Sequence, residues 1–199
     1  MKYTIYKPNK NVNGCAGSFQ ISQVGPKLTS NLFVSMIQQS GWDDQKKTGS
    51  FKGSRDDESK NINFKLNVSE AGEILSSMKT RIPFVAFHTF SDDSTIIKFT
   101  PWDQKRKVLG KDGEEWHTVP SWGLTVTRNK TNVFKLPLTA GESEVLAKLL
   151  DQFIEDALLE AAQEQSTKQA QGSSTSVKQL SSEPKEDESS DEEDDDIPF

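Results

Sequence analysis

The sequence is poor in the residues that build disulfides, metal sites and membrane spans. Cys15 is its one cysteine, so no intramolecular disulfide and no cysteine-based zinc site can form. Two histidines, His88 and His117, are too few for an ordinary structural zinc site, and no cofactor is expected. No apolar run approaches the ~18 residues of a bilayer span. The opening Met1-Lys2-Tyr3-Thr4-Ile5-Tyr6-Lys7 lacks the apolar stretch of a secretory signal. A cytoplasmic setting without membrane contact is therefore expected. Hydrophobic residues make up only 33% of the chain, against roughly 45–50% (glycine counted) in globular domains. Part of the chain is thus expected not to fold. The remaining ~165 residues suffice for one domain with its own core.

Catalytic signatures are missing too. There is no Gly-x-x-x-x-Gly-Lys-Ser/Thr phosphate loop and no Gly-x-Ser-x-Gly elbow. Three carboxylate pairs, Asp43-Asp44, Asp56-Asp57 and Asp92-Asp93, could in principle hold a metal. Adjacent residues on a strand point to opposite faces, however, and in turns such side chains serve local hydrogen bonds. The chain is not expected to be an enzyme.

Charge is present but segregated. The 199 residues carry 24 basic and 30 acidic side chains, a net of -6. Residues 183–199 hold ten acids and one base, a charge of -9, whereas residues 1–139 hold 13 acids and 20 bases, a charge of +7. A basic body with an acidic tail points to nucleic acid or to a regulated surface. From Ser166 the apolar residues give way to Gln, Ser, Thr and Lys, and then to acids. Such a stretch cannot offset its ordering entropy. The sequence therefore divides into a domain over 1–165 and a disordered acidic tail over 166–199. The tail ends in two large apolar residues, Ile197 and Phe199, around Pro198. Asp194, Asp195, Asp196, Ile197, Pro198 and Phe199 read as a peptide motif for a protein partner: acids steer, and the apolar tip enters a pocket.

Periodicity predicts a helix over 142–164, with Val145, Leu146, Leu149, Leu150, Phe153, Ile154, Ala157, Leu158 and Ala161 on one stripe. Thr139 and Glu142 form a candidate capping box. The stripe's length makes a homo-oligomer, dimer or higher, an expectation. Short strands are predicted over 16–23, 32–39, 49–53, 62–68, 84–90, 95–102, 123–128 and 132–138, with a short helix over 70–79 after the fourth. Two strand-to-helix joints echo each other. Phe64-Lys65-Leu66 leads to Glu73-Ile74-Leu75, and Phe134-Lys135-Leu136 leads to Glu144-Val145-Leu146. Four strands and a helix, twice, imply a duplicated ββββα unit. The fold class expected is α+β, with antiparallel sheets packed with helices.

This order, with Phe-Lys-Leu entering each helix, resembles the Whirly proteins and the related eukaryotic transcriptional coactivator family of ββββα single-strand binders. The resemblance covers about 16–160, and residues 61–102 resemble small phage-type proteins of that fold. The family's Lys-Gly-Lys strand motif has no clear counterpart. The tip 194–199 closely resembles that of bacterial single-stranded DNA-binding proteins, which binds replication, recombination and repair enzymes. These resemblances imply a phage-encoded protein that coats single-stranded DNA and recruits such enzymes through its tail. The alternatives are an OB-fold single-strand binder, a transcription regulator of Whirly or coactivator type, and an adaptor without nucleic acid.

Single-strand binding without base readout needs cations along a groove and aromatic faces for stacking. The candidates are Trp42 with Lys46, Lys47 and Lys52; Lys65 and Lys135 of the two echoes; Phe84, His88 and Phe90 as a stacking platform; Lys98 and Trp102 on one strand face; Lys105, Arg106 and Lys107 in a loop; and Arg128 and Lys130 at a turn.

Overall fold

The computed structural model describes residues 1–24, 29–110 and 113–173. Alternation of apolar and polar residues builds its first sheet. The strands are β1 (Lys2–Lys7), β2 (Cys15–Val24), β3 (Thr29–Gln38) and β6 (Asn61–Leu66), paired antiparallel in the order β1-β2-β3-β6. Ile5, Phe19, Leu32, Val34, Met36, Ile62 and Leu66 point inward and are buried. Between β3 and β6 a small hairpin, β4 (Gly41–Asp43) and β5 (Thr48–Ser50), stands as its own two-stranded sheet. The strand predicted over 49–53 is therefore not the fourth member of the quartet. That place belongs to β1, whose pattern Tyr3, Ile5 against Thr4, Tyr6 alternates over too few residues to stand out.

Helix α1 (Val68–Thr80) follows β6. Its N-cap is Asn67, whose side chain accepts from the Glu70 N–H while Glu70 returns a bond to the Asn67 N–H. The helix thus starts two residues before the predicted 70, because an Asn-x-x-Glu capping box ends the strand at Leu66. Arg81, in the left-handed region at φ 60°, closes the helix.

The second sheet is built of β7 (Phe84–Phe90), β8 (Asp93–Gly110), β9 (Gly113–Arg128) and β10 (Asn132–Leu138), ordered β10-β9-β8-β7. Ile97, Phe99, Trp122, Leu124, Val126, Phe134, Leu136 and Leu138 are its buried face. The β9–β10 turn places Asn129 and Lys130 both at positive φ, the geometry that asparagine tolerates best among side-chain-bearing residues. The Asn129 side chain also bonds Ser94 and Asp93 at the neighbouring turn. At Gly17 on β2, any Cβ would lie 2.4 Å from the Leu136 side chain of β10. The two sheets meet there.

Helix α2 (Ala140–Ser173) completes the second unit. Of the expected stripe, Leu146, Leu149, Leu150 and Phe153 are buried, whereas Val145 and Leu158 are exposed. The helix runs on through 166–173, which the composition assigned to the disordered tail. The compact unit itself spans Met1–Ala161. Residues 174–199, with the tip Asp194, Asp195, Asp196, Ile197, Pro198 and Phe199, lie outside the described residues. No helix among the described residues is long and apolar enough to cross a membrane.

Two meanders, each followed by a helix, set aside the OB-fold alternative, which has one helix between its third and fourth strands. The helices are exchanged. α1 packs on β7 and β8 of the second sheet, and His88 of β7 bonds Glu70 at 2.5 Å. α2 is tied to the first sheet. Glu142 accepts from Lys7 of β1 at 2.6 Å, and Glu160 accepts from the Ser30 N–H of β3 at 2.8 Å.

Burial alone would raise the Glu142 carboxyl, but the bonds from Lys7 and Thr139 outweigh it and hold the group below its ordinary value. The predicted Thr139–Glu142 cap is present, with Thr139 N–H donating at 2.8 Å. A carboxyl depressed by folding stabilises above its unfolded pKa, and that stability is lost as pH falls through the folded value. Glu142→Gln is expected to cost about 1 kcal/mol at neutral pH. In urea titrations the difference from wild type should begin to shrink near the ordinary glutamate value of ~4.3 and vanish only once pH has fallen through the lower folded value.

Candidate nucleic-acid interface

Inward apolar residues leave the alternate set outward. On the first sheet the register stacks this set into transverse rows. One row reads Lys2, Gln20, Phe33, Lys65 across the four strands. The next reads Thr4, Ser18, Ser35, Asn63, and the third Tyr6, Ala16, Ile37, Asn61. A cavity of about 450 Å³ opens there, lined by Lys2, Ser18, Gln20, Phe33, Ser35, Ile37, Arg55, Asn61 and Asn63. Phe33 is 41% exposed in the middle of the first row. Lys2 and Lys65 sit on the outer strands, about 14 Å apart at three strand spacings. Tyr6, packed edge-on to Phe51 at 5.9 Å, stands at the other end.

The second sheet repeats the theme more flatly. Its outward rows are Phe87, Ile96, Thr127, Val133 and Val85, Lys98, Thr125, Lys135. Then come Thr100, Gly123, Pro137, and beyond them Trp102 and Ser121. Beside Lys135 lies a second cavity of about 500 Å³, bounded by Asn9, Asn13, Gln38, Val133 and Pro137. Lys65 and Lys135, the lysines of the two Phe-Lys-Leu echoes, thus occupy equivalent outward positions on the last strand of each sheet.

The other sequence candidates fall in several places. Lys98 and Trp102 share the outward face, as the alternation predicts; the Trp102 indole donates to the Trp122 carbonyl at 2.8 Å. Phe84 and His88 do not form an exposed platform. They face inward: Phe84 packs against the core and His88 is held by Glu70. Phe90 has the same parity but lies at the strand end, 84% exposed. Sequence could not set the phase here, because Phe84 and Phe87 are three apart and lie on opposite faces. The buried Ile97 and Phe99 opposite Ala86 and Phe84 decide it. The outward aromatic of β7 is Phe87, 63% exposed.

Lys105, Arg106 and Lys107 are not in a loop. From the pair Trp102 and Ser121 to the pair Gly110 and Gly113, β8 and β9 continue as a two-stranded ribbon beyond β7 and β10. Lys107 is already engaged, ion-paired to Glu114 and 5.9 Å above the Trp116 ring. Lys105 and Lys107 continue the inward parity, and Arg106 the outward one. Trp42 is half-buried on β4, while Lys46 and Lys47 lie exposed in the β4–β5 turn and Lys52 beyond β5. Arg128 ends β9 half-buried, and Lys130 is exposed in the following turn.

The sequence candidates omit Lys2, Gln20, Phe33, Asn63 and Phe87, whereas Arg55 belongs to the basic cluster that follows Trp42 in sequence. Phe33 sits inside the run Leu32-Phe33-Val34, where an unbroken apolar stretch hides the phase. Lys2 and Gln20 carry a signal only once β1 is recognised. Asp43 and Asp57 act locally: Asp43 accepts from Gln45 and Lys46, and Asp57 from Ser59, whose bonds lower its carboxyl, while Asp93 accepts from Asn129 of the next turn. Among the described residues no cluster of three His, Cys, Asp or Glu is placed to hold a metal.

No protein-family model matches the sequence, and no curated protein matches it. Solved structures do. WHY3 from Arabidopsis thaliana aligns with a TM-score of 0.52 at 16% identity, covering 85% of this chain and 95% of that one. WHY1 from Arabidopsis thaliana gives 0.51 at 15%, covering 85% and 92%. The plant transcriptional regulator PBF-2 gives 0.50 at 18%, covering 84% and 87%. The likeness is one of architecture, and the chain has the Whirly fold: two ββββα units with antiparallel sheets and packed helices.

Proposed function

We propose that the protein binds single-stranded DNA along the outward faces of its sheets, without catalysis. The observation that carries this reading is the row Lys2, Gln20, Phe33, Lys65 above a floor of Ser18, Ser35, Asn61 and Asn63. Cations at both ends can neutralise phosphates. The half-exposed Phe33 can stack a base, a contact worth roughly 1–3 kcal/mol. Hydroxyls and amides can accept or donate to any base edge, which suits binding of little sequence preference. Lys98 and Lys135 offer a second stretch of the same chemistry. The -9 segment would recruit replication, recombination or repair proteins through Asp194, Asp195, Asp196, Ile197, Pro198 and Phe199, in a phage-encoded, homo-oligomeric protein. Titration of a fluorescent oligonucleotide over a salt series tests the binding. Affinity that falls steeply with salt is expected; no binding, or a flat salt dependence, overturns the reading.

A transcription regulator is the second reading, favoured by the shared fold with a protein described as a plant transcriptional regulator. Preference for a promoter duplex over the single strand would select it.

The acidic segment carries a further expectation. A -9 segment tethered to a body that is +7 over 1–139 competes with DNA for the same cations. Deleting 183–199 is expected to tighten single-strand binding by about threefold to tenfold at low salt, and by little at high salt. Equal affinity with and without the segment at low salt would remove the competition.

A further inference from the structure

One edge of the second sheet is β7, which pairs with β8 alone among the described residues. Natural edge strands are blunted by lysine, by internal proline, by bulges or by shortness, because an open row of N–H and C=O groups captures other strands. β7 has none of these. It runs seven residues in unbroken register with β8. In a chain that is 27% charged, residues 82–91 hold no Asp, Glu, Lys or Arg. Among the described residues, Val85, Phe87 and Phe90 are all left more than half exposed.

The strand also reads nearly the same in both directions. About Phe87 as centre, Phe84 mirrors Phe90, the β-branched Val85 mirrors the β-branched Thr89, and Ala86 mirrors His88. We infer that β7 pairs antiparallel with β7 of a second copy across a two-fold axis at Phe87, joining two second sheets into one continuous sheet. A two-fold contact presents the same patch to itself, so a charge-free strand pairs with its own copy without repulsion. In this register Phe90 lies opposite Phe84 of the second copy, on the inward face, which covers the ring that is 84% exposed in one chain. On the outward face Phe87 meets Phe87 of the second copy, flanked by two Val85–Thr89 pairs. Aromatic and β-branched cross-strand pairs are the favoured contacts of sheets. The inference rests on the homo-oligomer of the proposed function, and its test is independent of DNA, since it uses no cation and needs no ligand.

Disulfide trapping in the full chain tests the register. Directly opposed residues have Cα atoms about 4.5 or 5.5 Å apart, inside the range of roughly 4.4–6.8 Å that a disulfide spans. Phe87→Cys is therefore expected to give a covalent dimer on mild oxidation, in excess over wild type. Val85→Cys should not, because its two copies are offset by four residues, about 13 Å. Cys15 stays in place, being buried. Both substituted positions are exposed, so the variants should keep the fold. In a separate arm, Phe87→Lys puts two like charges at the axis, and light scattering should show the particle mass fall twofold. Absence of trapping at 87, equal trapping at 85 and 87, or an unchanged mass for Phe87→Lys would each overturn the pairing.

Discussion

Replacing Lys2, Arg55 and Lys65 together by glutamine is expected to weaken single-strand binding by several hundred-fold at about 50 mM salt. The magnitude follows from counterion release. Each phosphate contact with a single strand contributes about 0.7 to the slope of log affinity against log salt. Extrapolated from 1 M, one contact is then worth about 0.9 log unit at 50 mM, and three are worth about 2.7. The same change should flatten the slope by about 2. All three side chains are exposed, Lys2 and Arg55 line the cavity that contains Phe33, and Lys65 pairs with Phe33 across the sheet. The stability of the fold should therefore change little. Phe33→Ala complements this change. It should cost roughly 1–3 kcal/mol of binding without altering the slope, because a stacked base releases no counterion. Lys98→Gln with Lys135→Gln asks whether the second sheet contributes. If that pair gives the larger loss, the DNA lies on the second face and the trough of the first sheet is not its main site.

Much of the fold was legible because its signals are local. Phe134-Lys135-Leu136 alternates cleanly, and the predicted bounds 84–90 and 132–138 match β7 and β10. Thr139 and Glu142 announce the start of α2, and the Phe-Lys-Leu echo announces the duplication. What was not legible depended on partners distant in sequence. The length of β8 and β9 comes from pairing with each other along the ribbon, where cross-strand contacts such as Lys107 with Trp116 and Glu114 replace an apolar pattern. β1 shows as the first strand of a quartet only through its pairing with β2. The exchange of helices between the sheets has no sequence signal, since an apolar stripe does not say which sheet it will cover.

The candidate site follows the same rule. Lys65 and Lys135 were readable as outward because their strands alternate apolar with polar, whereas Lys98 and Trp102 were readable only as sharing one mixed face. Phe84 and His88 were misplaced because alternation fixes which residues share a face and not which face is buried. His88 shows what decided it. Glu70, the reciprocal member of the α1 capping box, also takes His88 as a partner, so the helix claims that side of β7 and turns Phe87 to solvent. Composition therefore pointed to cations and aromatics on the sheets, and alternation alone assigned some of them to the wrong face.

Phe153→Ala is expected to lower the free energy of unfolding by about 3–5 kcal/mol, the usual cost of emptying a buried aromatic site. That is a large share of the ~5–15 kcal/mol of a typical domain. Phe153 is 1% exposed and lies on α2 between the Glu142–Lys7 and Glu160–Ser30 ties to the first sheet. Leu158, five residues on, is 61% exposed, and Leu158→Ala should change stability by less than about 0.5 kcal/mol. The contrast isolates packing from helix propensity, since both changes end in alanine on one helix. The exchange of helices adds a second expectation. The first unit's helix covers the second sheet, and the second unit's helix is tied to the first, so neither unit completes its core alone. Loosening α2 should then destabilise both sheets together. Trp122 is buried in the second sheet, away from the substitution in chain terms. Tryptophan fluorescence and far-ultraviolet circular dichroism of Phe153→Ala should therefore shift to lower denaturant as one coincident transition. A fluorescence transition left at the wild-type midpoint, with only part of the dichroism lost early, would mean that the second sheet stands without α2 and that the interlock is not what couples the two units.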